Sequence, residues 1–441
     1  MHDVVVVRRQ VARLARSSAK ALAVYGAGIG LAYCSQLTIA RIVGAETYGI
    51  YTYVIAWITV LSYLCASGFD VALLRFVPTY HADRAWELLK GAMQYAERLA
   101  IFVSIVTIII SILILSIWAH SLPRPLNETF LIGLALVPVW ALLWIRCSAA
   151  RAFGAVVLAV APDRVMRDGA LIVLIAFAYF CLGWKIDAPL AMSSTLIGSI
   201  VGLAVVSVTL RQLRPRELET AVPVYAAAAW QRTALPLMIM GATEVFMNRT
   251  GILLLGWIGE ANNAGIYSLA FNIAFVVTLP RTAINTLFTP TVSALFSHSE
   301  RSVLQVLIAK SSWWMLVAAT CAGTVLLALA EPVLGWFGAD YRAGVPALQI
   351  LLIGQMITAG AGSQMQVMTM TGHERIAAGL LVLMSGVHLV MSLGLIRSFG
   401  LTGAAIAMCA TLILWNLAMA FYIWRRVHVL PGVLGIFCSS I

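Results

Sequence analysis

The chain has 441 residues, of which 61% are hydrophobic and only 11% are charged, and its formal net charge is +11. Soluble globular proteins carry roughly 25% charged residues, so this composition excludes a water-soluble fold. The apolar runs are continuous rather than alternating, which excludes a closed transmembrane β-barrel. The sequence therefore predicts an all-α polytopic membrane protein.

Twelve apolar segments are predicted to cross the bilayer, because a spanning helix needs about 20 mostly apolar residues. In chain order they are 20–42, 47–69, 92–118, 129–150, 168–184, 188–210, 234–258, 264–288, 312–331, 346–369, 377–396 and 402–424. The first segment is too long for the apolar part of a cleaved signal peptide, so we expect an uncleaved anchor. The fifth is the weakest, because it is short and charged residues crowd its start.

The charges of the loops predict the orientation. If the N-terminus is cytoplasmic, most Lys and Arg residues fall in cytoplasmic loops, and the opposite loops hold only Arg41, Arg124, Lys185, Arg342 and Arg397. Cytoplasmic loops of membrane proteins are enriched in these residues, so both termini are expected in the cytoplasm. The same bias accounts for the net charge, and no nucleic-acid partner is expected.

Two short sequences recur at one offset, each beside a long apolar segment. Gly49–Tyr51 reads Gly-Ile-Tyr and recurs 216 residues later at Gly265–Tyr267, and Ala188–Met192 is similar to Ala404–Met408 at the same offset. This pattern predicts a duplicated unit of six spans, in which both halves enter the membrane in the same orientation and are related by an axis along the membrane normal. The predicted parts are a basic N-terminus 1–19, an N-lobe 20–210, a linker 211–233, a C-lobe 234–424 and a C-terminus 425–441.

Motifs for an enzyme or a metal site are missing from the sequence. It contains no phosphate-binding Gly-x-x-x-x-Gly-Lys-Ser/Thr loop, no Gly-x-Ser-x-Gly elbow, and no second His after His373-Glu374. The seven cysteines are scattered and form no Cys-x-x-Cys pair. We therefore expect no enzyme activity, no metal and no bound cofactor.

Six segments carry a resemblance to a known family: 40–51, 68–78, 256–270, 337–351, 371–374 and 399–407. In order and spacing they resemble the multidrug/oligosaccharidyl-lipid/polysaccharide (MOP) exporter superfamily, and within it the polysaccharide transporters of the Wzx flippase type. The resemblance implies two six-helix lobes around a central cavity, the fold shared with MATE drug exporters and MurJ-type lipid II flippases. MurJ-type proteins usually carry fourteen spans, so the twelve predicted here favour the Wzx-like branch.

The resemblance also implies a function. A Wzx-like protein would move polyprenyl-pyrophosphate-linked oligosaccharide repeat units across the bacterial inner membrane by alternating access, and a glycan polymerase or assembly complex would be its partner. The alternatives are a MATE-like ion-coupled multidrug antiporter, a lipid II flippase, a membrane enzyme such as a glycan polymerase, and a non-catalytic scaffold. The short outer loops argue against the enzyme, because such enzymes need a catalytic loop on the outer face.

The seventh span is unusually polar. Ionisable residues near the bilayer centre cost roughly 2.5–3.5 kcal/mol on insertion scales, so Glu244 and Arg249 need a reason to be there. Glu244 and Asn248 are four residues apart and share one helix face, and Arg249 lies about 140° around the helix from Glu244. The group either lines a cavity or forms a structural Glu–Arg pair with a neighbour. Four residues make this helix easy to bend: Pro236, Gly241, Gly251 and Gly256.

A transport hypothesis assigns roles to these and other residues. Arg249, with Arg41 and Arg281, would attract a pyrophosphate, because a guanidinium presents a fixed fork of donors. Glu244 or Asp168 would be the carboxylate that couples transport to a proton or a sodium ion. The remaining predicted cavity residues are Asn248, Gln36 and Gln355, which would bind sugar hydroxyls, and Trp57, which would stack on a sugar ring.

Other residues are predicted to be structural. Gly44 and Gly49 suit a tight turn after the first span, and Tyr48 and Tyr51 suit the aromatic belt at the membrane interface. Arg146 is expected to snorkel at the end of the fourth span. His388 is expected to be a packed, hydrogen-bonded residue rather than a proton relay.

Overall fold

The computed structural model describes residues 2–118, 122–155, 161–282, 284–285, 288, 292 and 301–436. Within them the secondary structure is helical and contains no β-strand. The α-helices are α1 (His2–Ala66), α2 (Phe69–Ala82), α3 (Trp86–Trp118), α4 (Arg124–Leu134), α5 (Leu136–Ala152), α6 (Arg167–Phe180), α7 (Ala188–Leu213), α8 (Arg216–Thr220), α9 (Ala227–Trp257), α10 (Ala261–Phe275), α11 (Arg301–Ala328), α12 (Ala330–Phe337), α13 (Val345–Ala361), α14 (Gln364–Met370) and α15 (Glu374–Val427).

The two longest helices are each interrupted by a glycine. In α1, Gly44 has φ 79° and ψ 169°, and in α15, Gly400 has φ 54° and ψ −129°. Such positive φ values are accessible to glycine because it lacks a Cβ atom. Each helix therefore comprises two parts, and these parts correspond to the first two and the last two predicted spans.

Eight described helical segments are long and apolar enough to cross a membrane. Because two of them are the interrupted segments Gly30–Ala82 and Glu374–Val427, together they account for ten of the twelve predicted spans. The fifth predicted span falls on α6, which has only 14 residues and follows a π-helix at Pro162–Met166. The seventh falls on α9, which has 31 residues. Residues 283 and 286–287 of the eighth span and residues 437–441 lie outside the described residues.

Apolar side chains that face outwards fit a lipid environment. Phe102, Ile109 and Ile117 on α3 are 66%, 53% and 77% exposed, and their neighbours on the same helix are similarly apolar. A continuous apolar surface of this kind is unfavourable in contact with water, whereas lipid chains are as apolar as these side chains. The prediction of an all-α polytopic membrane protein is confirmed.

Two compact units divide the chain. Unit 1 comprises Met1–Val43 and Val54–Ala242, and unit 2 comprises Gly44–Tyr53 and Thr243–Ile441. The boundary at 242/243 lies inside α9, beyond the linker predicted at 211–233, and the short segment 44–53 belongs to the unit that contains the C-terminal half. The domain limits drawn from the sequence stay a prediction.

Unit 1 contains a half-buried ion pair that joins three helices. Arg146 on α5 donates two hydrogen bonds to the Glu97 carboxylate on α3, at 3.0 and 3.1 Å, and a third to the Ser207 hydroxyl on α7 at 2.6 Å. The expectation that Arg146 snorkels to the membrane surface was wrong, because a carboxylate inside the unit satisfies its guanidinium.

In unit 2 a histidine is part of the packed interior. His388 is 1% exposed, and its Nδ1 lies 3.0 Å from the Thr411 hydroxyl on the second part of α15. This confirms the prediction of a packed, hydrogen-bonded residue. Elsewhere in unit 2, the backbone at Gly354 of α13 approaches Cys409 of α15 closely.

Candidate functional site

The polar part of α9 lies near the middle of a helix long enough to span a bilayer. At about 1.5 Å per residue the 31 residues rise roughly 46 Å. Glu244, Asn248 and Arg249 all lie within about two turns of the helix midpoint, in unit 2. Asn248 and Arg249 are half-buried and Glu244 is exposed. The sequence-predicted group is therefore held together on one helix.

A second cation of unit 2 lies near Glu244. Arg281 follows α10 and the short 3-10 turn Val276–Thr278, and its side chain is half-buried. The carboxylate of Glu244 lies close enough to the Arg281 guanidinium for the two charges to interact. The tertiary structure thus brings together two residues that the sequence separates by 37 positions.

Arg249 has a different set of neighbours. Its charge acts on the hydroxyl of Tyr48, which is fully buried and accepts a hydrogen bond from Asn272 Nδ2 at 3.4 Å. The Ser268 side chain also hydrogen-bonds to this hydroxyl. Arg249, Tyr48, Ser268 and Asn272 therefore form a polar centre where segment 44–53, α9 and α10 meet.

Tyr48 and Asn272 are the residues that sequence reasoning missed. Tyr48 and Tyr51 are 0% and 1% exposed, so their assignment to the interfacial belt was wrong. The physical reason is the break at Gly44, after which the helix resumes with both rings packed inside unit 2. A signal for Asn272 was present, since it is the only amide in the apolar run 266–279.

The glycines of α9 have a packing role. Side chains placed on Gly251 and Gly256 would overlap the rings of Tyr267 and Tyr53 in unit 2. Despite these glycines and the internal Pro236, the helix is continuous over its whole length. Gly251 and Gly256 therefore make room for tyrosine rings that pack against α9, and the helix does not bend at either glycine.

The other predicted cavity residues differ in their burial and in the unit to which they belong. Gln355 on α13 is 6% exposed and lies in the interior of unit 2. In unit 1, Arg41 on α1 is exposed, whereas Gln36 and Trp57 on the same helix are half-buried.

Asp168 lies in an ion-pair network within unit 1. Arg167 donates hydrogen bonds to both Asp168 oxygens at 3.2 Å and to Asp163 Oδ1 at 3.1 Å, and its guanidinium lies over the Trp140 ring, 5.4 Å from the ring centroid. Asp168 is only 4% exposed. These contacts stabilise the junction between the π-helix and α6, which favours a structural role for Asp168.

Unit 2 therefore offers three kinds of polar group, on α9 and after α10. Arg249 and Arg281 provide two guanidinium forks, Glu244 provides one exposed carboxylate, and Asn248 provides an amide. The balance is positive and suits a phosphate-bearing ligand. Among the described residues, no group of His, Cys, Asp and Glu side chains could hold a metal ion.

Comparison with known protein families gives one match. The sequence profile of a family described as "Polysaccharide biosynthesis protein" matches residues 14–296. No curated protein matches the chain significantly.

Solved structures share the fold. A multidrug resistance MATE family transporter of the MOP superfamily, in an inward-facing conformation, is 17% identical with a TM-score of 0.70, over 91% of this chain and 94% of that one. The lipid II flippase MurJ, in an inward closed conformation, is 13% identical with a TM-score of 0.72, over 91% and 87%. A variant of the Vibrio cholerae MATE transporter VcmN is 15% identical with a TM-score of 0.58, over 93% and 97%. These likenesses confirm the predicted MATE- and MurJ-like fold, and all three structures are of transporters or flippases rather than enzymes.

Proposed function

Because the chain belongs to the polysaccharide biosynthesis protein family of the MOP superfamily, we propose that it moves polyprenyl-pyrophosphate-linked oligosaccharide repeat units across the bacterial inner membrane. The observation that carries this proposal is the pair of arginines in unit 2, Arg249 and Arg281, which accompany Glu244 in helical segments predicted to span the membrane. Charged side chains in such segments are rare unless they serve a pathway or a partner.

The arginines suit the pyrophosphate of the cargo. A guanidinium donates two parallel hydrogen bonds to phosphate oxygens and keeps its charge at any physiological pH. Arg249 lies close enough to the buried Tyr48–Asn272 pair for its charge to act on the Tyr48 hydroxyl. The lipid tail would stay among the lipid chains while the charged head group crosses along the protein, by alternating access.

Glu244 suits the role of coupling carboxylate better than Asp168. Glu244 is exposed and its charge acts on Arg281, whereas Asp168 is buried against Arg167. A pyrophosphate that binds Arg281 competes with Glu244 for the same cation. Binding of cargo and binding of a proton or sodium ion at Glu244 are then linked, which is what a coupled transporter requires.

The sugar part of the cargo needs hydrogen-bond donors and acceptors. Asn248 is half-buried one turn from Glu244 and is the amide best placed to bind a sugar hydroxyl. Further contacts with the cargo would come from Arg41, Gln36 and Trp57, which belong to unit 1, and from Gln355, which is buried in unit 2. Both termini would lie in the cytoplasm, with a glycan polymerase or assembly complex as partner.

A deletion in the native host tests the proposal. We expect loss of surface polysaccharide and accumulation of lipid-linked repeat units on the cytoplasmic leaflet. Wild type and Arg397→Ala, an exposed arginine of the same unit, should restore export, whereas Arg249→Ala and Glu244→Gln should not. Full export by both of these variants at normal expression would overturn the site.

The rival functions give different results in the same strain. Unchanged polysaccharide together with greater sensitivity to cationic drugs would indicate a MATE-like antiporter instead. Accumulation of lipid II with an intact glycan pool would indicate a lipid II flippase. Either result would overturn the proposed cargo while leaving the fold unaffected.

A further inference from the structure

A polar cavity lies in unit 1, apart from the polar group on α9. It has a volume of ≈ 260 Å³ and lies between the first turns of α3, the end of α7 and the short helix α8. The lining residues that matter here are Lys90, Gln94, Glu97, Arg211, Arg214 and Glu219. The proposed transport of glycans makes no use of this cavity.

The charges around the cavity do not balance. Glu97 is engaged by Arg146, which holds both carboxylate oxygens at 3.0 and 3.1 Å. The Lys90 ammonium donates to the backbone oxygens of Glu219 and Ala221 at 2.8 and 2.9 Å. Two arginines at the end of α7 remain with a single exposed carboxylate, that of Glu219, so the cavity has an excess of positive charge.

Arg214 provides the strongest evidence that this cavity could bind an anion. Its Nε atom is buried and has no hydrogen-bond partner among the described residues. Burial lowers the pKa of the Arg214 guanidinium, and the carboxylate of Glu97 acts in the opposite direction. A buried donor without a partner is costly, and in native proteins such a group commonly marks an ion or water.

The walls of the cavity are held in place by hydrogen bonds. The Tyr225 hydroxyl donates to Gln94 Oε1 at 2.9 Å and accepts from Arg98 Nη1 at 3.0 Å. The backbone N–H of Val224 donates to the Glu87 carbonyl at 3.1 Å. These bonds fasten the segment after α8 to α3, so a ligand would find the site largely preorganised.

We propose that this cavity binds a phosphate group. Arg211 and Arg214 would supply the guanidinium forks that match phosphate oxygens. The volume is several times the roughly 30 Å³ that a water molecule occupies in the liquid, so a phosphate fits with part of its ester group. The proposal does not depend on the nature of the transported cargo.

Two sources of phosphate share this chemistry. The cavity lies where α3 and α7, both candidate membrane spans, begin and end. Basic pockets at this level between membrane helices recognise the head groups of anionic phospholipids. Free inorganic phosphate would accept the same hydrogen bonds from the two arginines, but it has no acyl chains to add binding energy.

Binding to the purified full-length protein in detergent tests the proposal. The probes are short-chain phosphatidylglycerol, glycerol 3-phosphate and inorganic phosphate, each titrated by calorimetry. We expect Arg211→Gln/Arg214→Gln to weaken binding of the phosphate probes roughly tenfold or more. The reason is that each variant side chain loses its charge and its hydrogen bonds to the phosphate oxygens, and hydrogen bonds to charged groups contribute strongly to affinity. The matched control is Arg216→Gln/Arg232→Gln, which removes two exposed charges from α8 and α9 that do not line the cavity.

The outcomes separate the possibilities. Tighter binding of phosphatidylglycerol than of both soluble probes would assign the site to a lipid head group, and equal binding would assign it to soluble phosphate. Absence of saturable binding by any probe, or equal weakening in the control, would overturn the proposal. If the double variant unfolds, Arg214→Lys keeps the charge but loses the fork, and it should still weaken binding measurably. An unchanged affinity in Arg214→Lys together with an unchanged melting temperature would also overturn it.

Discussion

Gly49 and Gly265 occupy equivalent positions of the 216-residue repeat, and each lies against the helix of the other. A side chain on Gly49 would overlap the carbonyl oxygen of Ala261, and one on Gly265 would overlap that of Ala45. Ala45 and Ala261 are themselves equivalent by the same offset. The contact is therefore reciprocal, as expected where two related segments meet about a local two-fold axis.

Both segments carry the same small-residue motif. Ala45 and Gly49, and likewise Ala261 and Gly265, are four residues apart on one helix face. Small residues at this spacing let two membrane helices approach until their backbones touch. The recurring Gly-Ile-Tyr sequence thus marks a packing interface within unit 2.

Alanine at either glycine should destabilise the protein. Gly49→Ala and Gly265→Ala each add a methyl group against a backbone carbonyl, and we expect each to lower the free energy of unfolding by about 1–3 kcal/mol. The double variant should lose less than the sum, because one displacement of the helices relieves both overlaps. Thermal unfolding in detergent measures these values.

Gly379→Ala is the matched control for that series. Gly379 lies within α15 with no neighbouring atom within 4 Å of an added side chain. Alanine there should be neutral or stabilise the helix by up to about 1 kcal/mol. Equal losses in Gly49→Ala and Gly379→Ala would contradict the reciprocal contact.

Tyr48→Phe should destabilise unit 2 more than Tyr267→Phe. The Tyr48 hydroxyl accepts a hydrogen bond from Asn272, and its loss should cost about 1 kcal/mol. Tyr267 is equally buried at 2% exposure, but its hydroxyl makes no hydrogen bond to the described residues. Tyr267→Phe should therefore be nearly neutral. The same melting temperature for both variants would show that the polar centre around Tyr48 contributes nothing.

Asp168→Asn should affect stability, whereas Glu244→Gln should affect the ion dependence of transport. Asp168→Asn weakens the bonds to Arg167, so we expect a lower melting temperature with an unchanged pH dependence of transport in liposomes. Glu244→Gln removes an exposed carboxylate, so stability should hold while the pH or sodium dependence of transport is lost. A transport profile altered by Asp168→Asn alone would reverse these two roles.

The Arg146–Glu97 pair should contribute measurably to stability. The two side chains are 25% and 23% exposed, so we expect Glu97→Gln to cost about 1–3 kcal/mol, less than a fully buried pair would. Removing Arg146 as well should restore part of the loss, because no charge is then left without its partner. Glu87→Gln, an exposed residue of the same helix, should stay within about 0.5 kcal/mol of wild type.

Much of the fold could be predicted from local sequence. The spans of α3, α7 and α11 follow from runs of apolar residues, and the breaks at Gly44 and Gly400 fall between predicted spans. The fifth span was the weakest prediction, and α6 is indeed short. Local patterns also singled out the charged residues of α9, because a charge is conspicuous in an apolar helix.

The neighbours of these residues could not be predicted in the same way. Nothing in a single sequence indicates that Arg281 faces Glu244, that Tyr48 lies beside Arg249, or that Glu97 satisfies Arg146. These contacts join residues that are 37 to 201 positions apart. They depend on how helices pack, and packing is decided by shape over the whole unit rather than by any one segment.

The sequence by itself determined that this protein is helical and crosses the membrane many times, because the length of an apolar run is a property of a short segment. The tertiary structure alone decided which charges are satisfied and which are available. It buried Asp168 against Arg167 and left Glu244 exposed, and it enclosed Arg214 without a partner for its Nε atom. The physical reason is that the cost of a charge depends on the atoms packed around it, and helices distant in the sequence supply those atoms.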